Sequence, residues 1–192
     1  MTGRTHTDRW RSFLTALFWL AAGASVLAEE TPAPWAALLE DGNVVIMRHA
    51  LAPGTGDPAT FRIGDCSTQR NLSGAGREQA TRIGERLREH GVSAARVYSS
   101  QWCRCLDTAQ LLNFGEVTPL PALNSFFRDR STAGEQTAAL REFILEHAGE
   151  TLLILVTHQV NITELTGVYP ASGEMLVMRP QDDELILVGR IP

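Results

Sequence analysis

Two arginines and two histidines carry the chemistry legible in this chain: Arg48 beside His49, then Arg104, then His158. Guanidinium forks match the oxygens of a phosphoryl group in two-point geometry. A neutral imidazole is a competent nucleophile near neutral pH. The four residues sit where strand-like stretches end. Asn43-Val44-Val45-Ile46-Met47 runs into Arg48-His49, Ala95 to Tyr98 runs into Ser99-Ser100 with Arg104 just beyond, and Leu152 to Val156 runs into Thr157-His158. Parallel strands would bring these ends to one edge of a sheet, the edge at which open α/β sheets place ligands. Together the four side chains would line a pocket for a phosphoryl group.

The elements that must position them follow from hydrophobic pattern. Val44 to Met47 and Leu152 to Val156 are wholly apolar, as strands covered on both faces are. After the first strand, Pro53, Gly54, Gly56 and Pro58 force a loop, which runs without periodicity from Ala50 to Asn71. Ser73 is the expected N-cap of a helix reaching Glu89, with Gly91 closing it. Ala80, Ile83 and Leu87 form its inner face. A second helix is expected from about Trp102 to Asn113, and a short strand from Val117 to Leu120. Thr132-Ala133-Gly134-Glu135 has the capping-box pattern and should open a third helix, with Leu140, Phe143, Ile144 and His147 on one face. The tail reads as two strands, Glu174 to Met178 and Glu184 to Val188. Strands alternating with helices predict a three-layer α/β/α sandwich on a mainly parallel central sheet, as a single domain over residues 29–192.

Residues 1–28 read as something apart. Arg4, Arg9 and Arg11 precede an apolar run from Phe13 to Leu27, and Val26-Leu27-Ala28 resembles a signal-peptide cleavage site. The expectation is export to the periplasm or secretion, with no stable membrane insertion after cleavage. Oxidation would then let Cys66 pair with Cys103 or with Cys105, leaving one thiol free. Cys103 and Cys105 on one helix would point to nearly opposite faces and should not pair with each other. The net charge of −5 argues against a nucleic-acid partner. All 17 basic residues are arginine, which excludes lysine Schiff-base chemistry and a P-loop lysine. No carboxylate cluster offers a metal site, and no cofactor is expected.

Four segments, taken in order, give the chain a family likeness. Arg48-His49-Ala50 is similar to the Arg-His-Gly signature of the histidine phosphatase (phosphoglycerate mutase-like) superfamily, with alanine for glycine. Leu72-Ser73-Gly74-Ala75-Gly76-Arg77-Glu78-Gln79-Ala80 and Ser99-Ser100 through Arg104 to Thr108-Ala109 resemble its next two segments, and Val156-Thr157-His158-Gln159 its second-histidine segment. The resemblance implies a phosphatase in which His49 attacks phosphorus and becomes a phosphohistidine. Arg48, Arg104 and His158 would hold the phosphoryl oxygens, with Arg70 a further candidate.

The chain departs from that family at the general acid. Many relatives carry a glutamate shortly after the third strand, where this chain has Leu123-Asn124-Ser125-Phe126-Phe127. Asp57 and Asp65, in the long loop, are the substitutes to consider, although Asp57 between Gly56 and Pro58 also suits a turn. Export points to a small phosphorylated substrate such as an envelope sugar phosphate. The alternatives are a non-catalytic module that binds phosphorylated ligands and a protein phosphohistidine phosphatase, whose imidazole leaving group needs no acid. Specificity is expected from the loop around Asp57 to Thr68 and from Phe126 to Arg130.

Overall fold

The computed structural model describes residues 34–192, so the expected signal segment over residues 1–28 lies outside the described residues. A short helix α1 (Pro34–Ala37) leads into β1 (Val44–Arg48). Then follow α2 (Gly74–Glu89), β2 (Ala95–Ser99), α3 (Cys103–Leu111), β3 (Val117–Pro119), α4 (Ala133–His147), β4 (Leu152–Thr157), α5 (Gln159–Thr166), β5 (Met175–Gln181) and β6 (Glu184–Ile191). The six strands form one sheet in the order β3-β2-β4-β1-β5-β6. β1, β2, β3 and β4 pair in parallel, while β5 runs antiparallel to both β1 and β6.

Alternation along the central strands builds two cores. Val45, Met47, Ile154 and Val156 face one side with Ile83 and Leu87 of α2 and Ala109 of α3. Val44, Ile46, Leu153 and Leu155 face the other with Leu140 and Ile144 of α4 and Ile162 and Leu165 of α5. All eight strand residues are fully buried, as an apolar strand with helices on both faces must be. This is the expected three-layer sandwich. No helix among the described residues is long and apolar enough to cross a membrane.

Two helix starts differ in kind. Ser73 caps α2 as expected, its hydroxyl accepting from the Gly76 amide at 3.0 Å. The capping box at Thr132 does not form. Thr132 has helical dihedrals and its side chain makes no cap bond, because a 3₁₀ turn over Arg130–Thr132 precedes the helix. Asp129 caps that turn instead, accepting from the Ser131 amide at 3.0 Å.

Two glycines of α2 admit backbone from neighbouring segments. A Cβ at Gly76 would lie 2.0 Å from the Leu51 carbonyl oxygen, and one at Gly84 would lie 2.3 Å from that of Leu112. The first contact seats the loop that leaves β1, and the second seats the end of α3.

Candidate active site

The strand ends meet as the parallel topology requires. Arg48 is paired in register with Thr157, and the His49 amide donates to the Thr157 carbonyl at 2.9 Å. Beyond His49 the chain is held residue by residue. The Ala50 amide donates to the Thr108 hydroxyl at 3.0 Å, and the Leu51 amide to Gln79 Oε1 at 2.9 Å. Thr108 and Gln79 thus clamp the histidine loop from α3 and α2.

His49 is buried, and its Nδ1 lies 2.8 Å from the Ala50 carbonyl oxygen. A carbonyl can only accept, so Nδ1 carries the proton and Nε2 keeps its lone pair. Burial, then the nearby Arg104, Arg48 and Arg70 charges, push its pKa down to about 3, against the raising effect of the Ala50 bond. The ring is therefore neutral with a free Nε2 across the physiological range.

Arg104 is 3% exposed and almost wholly engaged. Its Nη1 donates to Asp57 Oδ1 at 2.7 Å and to the Arg70 carbonyl at 3.2 Å. Its Nη2 donates to Asp57 Oδ2 at 3.2 Å and faces His158 Nδ1 at 3.4 Å. Arg48 donates through Nη1 to the Pro170 carbonyl at 3.0 Å. The Nε of Arg48 and the Nε of Arg104 are buried with no partner. Buried charged donors are costly to leave unpaired, and both arginines line one cavity with the neutral imidazole of His49. Arg70 donates through Nε to the Gly56 carbonyl at 2.8 Å and through Nη1 to the Ala52 carbonyl, which sets its guanidinium against the same loop.

His158 is buried at the start of α5, with its Nε2 2.8 Å from the Ser100 hydroxyl. Since Arg104 donates toward Nδ1, the Nε2–H is the donor to Ser100. The Ser100 hydroxyl in turn donates to Asn124 Oδ1 at 3.3 Å. The His158 pKa is lowered by burial first and then by Arg104, so this ring is also neutral. The free thiol of Cys105 sits 3.5 Å from the same Nε2, and burial raises its pKa to about 12. The disulfide joins Cys66 to Cys103, one of the two pairings expected.

Arg48, His49, Arg70, Arg104, His158 and Asp57 all line one cavity of about 420 Å³. The two candidate acids need correction. Asp65 is absent from the cavity wall, its carboxylate accepting from the amide and hydroxyl of Ser67 to cap a surface turn. Asp57 is in the cavity but as a bound carboxylate. Besides Arg104 it accepts from Trp102 Nε1 at 3.0 Å and from the Arg70 amide at 3.1 Å. Burial alone would raise its pKa, but the Arg104 bonds and charge outweigh that and hold it below the usual range. With its acceptor sites filled by donors, Asp57 is an anchor for Arg104, not a proton donor.

The outer wall includes Phe61, Phe126, Phe127, Arg128 and Asp129, from the two segments where specificity was expected, together with Trp102. Reading the sequence missed Trp102 as a wall residue.

Residues 44–126 match the model of the histidine phosphatase superfamily (branch 1). Over that stretch the chain is similar to the histidine phosphatase superfamily. No curated protein sequence matches it significantly. Among solved structures it is similar to the protein histidine phosphatase SixA complexed with tungstate, at 17% identity and a TM-score of 0.55, covering 78% of this chain and 96% of that one. It is also similar to a mycobacterial glucosyl-3-phosphoglycerate phosphatase complexed with VO3, at 15% identity and a TM-score of 0.56, covering 76% and 96%. A third is the phosphoserine phosphatase of Entamoeba histolytica with 3-phosphoglyceric acid, at 12% identity and a TM-score of 0.53, covering 78% and 96%. At such identities the likeness is one of fold.

Proposed function

We propose that this protein is a metal-independent phosphomonoesterase that works through a phosphohistidine at His49. The observation that carries this reading is that His49, with Nε2 unprotonated, shares one cavity wall with Arg48, Arg70 and Arg104. A phosphoryl group seated there would meet these cations and present phosphorus to the imidazole.

In the first step His49 Nε2 attacks phosphorus and the bond to the leaving oxygen breaks, that oxygen departing with the electron pair. The phosphorylated ring keeps its Nδ1 proton, and the Ala50 carbonyl stabilises the positive charge that develops. Arg48 and Arg104 neutralise charge on the equatorial oxygens. Arg70 adds positive potential from the loop. His158 acts on the phosphoryl group through Arg104, whose Nη2 it faces. In the second step water attacks phosphorus, the P–N bond breaks, and His49 regains its lone pair while the water's proton goes to phosphate or solvent.

The tungstate and VO3 held by two of the neighbours are oxyanions, which supports an oxyanion pocket here. A binding module would account for the arginines but gives no role to the free Nε2. The test is hydrolysis of p-nitrophenyl phosphate in EDTA by the wild type beside His49→Ala. Turnover that survives chelation and vanishes in the variant, with an acid-labile phosphoenzyme trapped in the wild type, is the expected result. Phosphate binding without turnover in either protein would instead establish the binding module.

Export to the periplasm or outside the cell is part of the same proposal, and the Cys66–Cys103 disulfide supports it, because such bonds persist in oxidising compartments. N-terminal sequencing of protein recovered from the envelope fraction tests it. An envelope sugar phosphate is one candidate substrate; a class better matched to the cavity's outer wall is argued next.

A further inference from the structure

We infer that the substrate carries its phosphoryl group on a planar aromatic ring, of phenolic or imidazole type, and that the outer cavity is a receptor for that ring. The inference rests on the phosphatase reading above and adds the leaving group to it. Two independent features carry it.

The first is the wall. Aromatic side chains reach the cavity from separate parts of the chain: Phe61 from the loop after β1, Trp102 ahead of α3, and Phe126 and Phe127 from the segment between β3 and α4. Phe61 stacks on Trp102, with centroids 4.8 Å apart and planes at 22°. Trp102 in turn meets His158 edge-on at 5.3 Å, so the aromatic wall begins where the phosphoryl end stops. Phe126 is buried with Val160 and Ala133 and backs the wall. Phe127 lines the cavity while remaining 51% exposed. Its ring lies beside Gly56, with Cε1 3.7 Å from where a Cβ on that glycine would be. A cavity of about 420 Å³ suits a phosphoryl group and one ring, and rings prefer offset or edge-on contact with other rings.

The second is that, among the described residues, no carboxylate lining the cavity is free to serve as the proton donor. The two carboxylates that line the cavity are both bound as anions: Asp57 by Arg104, Trp102 and the Arg70 amide, and Asp129 by the amide of Ser131. Asn124, in the Leu123–Phe127 segment that has no carboxylate, has its Oδ1 held by Ser100 and Gln101. An alkoxide leaving without a proton is about as basic as hydroxide, whose parent acid has a pKa of about 15.7. A phenolate, with a conjugate acid near pKa ~10, leaves without help. The P–O bond breaks with its electron pair on the ring oxygen, and solvent supplies the proton afterwards. An imidazole leaves from nitrogen as the neutral ring once its distal nitrogen has taken a proton from solvent, and then needs no donor at the bond that breaks.

Four substrates separate the two features: phosphotyrosine and N-phosphoimidazole have a ring and a good leaving group, acetyl phosphate has only the leaving group, and β-glycerophosphate has neither. The expected order of kcat/KM puts a ring substrate at least tenfold above acetyl phosphate and at least a hundredfold above β-glycerophosphate. Phe127→Ala should lower kcat/KM for the ring substrate at least fivefold more than for acetyl phosphate, and Phe127→Trp should restore it. Whichever ring substrate wins identifies the linkage, oxygen or nitrogen. Turnover of acetyl phosphate that requires His49, with no preference for either ring or with equal losses on all substrates in Phe127→Ala, overturns the inference and leaves the phosphatase intact. No turnover of any of the four, at any His49 state, overturns both.

Discussion

Arg104 and Asp57 form a two-point ion pair between α3 and the histidine loop, with contacts of 2.7 and 3.2 Å and side chains only 3% and 7% exposed. The pair fixes the guanidinium in place: both terminal nitrogens are engaged by protein, and Nε is buried without a partner. Removing one partner of a buried pair leaves the other charge uncompensated. Asp57→Ala should therefore lower stability by roughly 3–5 kcal/mol. It should also cut kcat/KM by on the order of a hundredfold, because Arg104 is no longer aimed. Denaturant unfolding and steady-state kinetics check the two effects separately, and an Asp57→Ala protein of wild-type activity would refute the anchoring role.

The His49 pKa near 3 has a consequence for the pH profile. A histidine nucleophile of ordinary pKa would lose activity as pH falls through about 6.5. Here the neutral ring persists, so kcat with a saturating aryl phosphate should show no acid limb centred near 6.5. Stability has the opposite exposure. The folded pKa is depressed below the unfolded value, so the stabilisation is complete above about 6.5 and is lost progressively as pH falls toward 3. Thermal melts should decline over that window, and His158, shifted in the same direction by burial, should add to the decline.

The Cys66–Cys103 bond spans 37 positions and ties the histidine loop to the first residue of α3, immediately before Arg104. Loop-closure entropy for that length stabilises by about 4 kcal/mol. Cys66→Ser should lose up to that amount and should lower kcat/KM, while Cys105, fully buried, should resist thiol reagents in the native protein. Modification of Cys105 at the rate of an exposed thiol would contradict the packing.

Gly84 tests the contact between α2 and α3. A methyl group there would meet Leu112 backbone at 2.3 to 2.8 Å, and backbone cannot rotate away. Gly84→Ala, which improves helix propensity by up to about 1 kcal/mol, should nonetheless destabilise by about 1–3 kcal/mol. A Tm at or above wild type would show that the two helices separate freely.

Strands whose residues are all apolar were legible because nothing else explains Val44 to Met47 or Leu152 to Val156, and the Ser73 cap because a hydroxyl preceded a clean helical face. The phosphoryl end followed from those strands, since a strand's last residues are placed by its core. What escaped was set by contacts between distant segments. The Thr132 box competed with Asp129, three residues earlier, for the start of α4, and a four-residue motif does not reveal that competition. Asp57 has the local chemistry of a turn residue, and only the partner 47 positions away makes it an anchor. Trp102 lay inside a recognised segment, but the ring it stacks on belongs to a loop without pattern.

The sheet order places β1 between β4 and β5, both from the last third of the chain. On the ribosome, the strand bearing Arg48 and His49 therefore emerges long before either neighbour exists. Its apolar residues wait for about one hundred further positions, roughly 5–20 s at ordinary rates of synthesis. Unpaired apolar strands are the segments most prone to wrong partners. A chain truncated before Leu152 should accordingly be recovered bound to chaperones or aggregated rather than as a half-active fragment, for the catalytic edge comes into being only as the final strands slot in on either side.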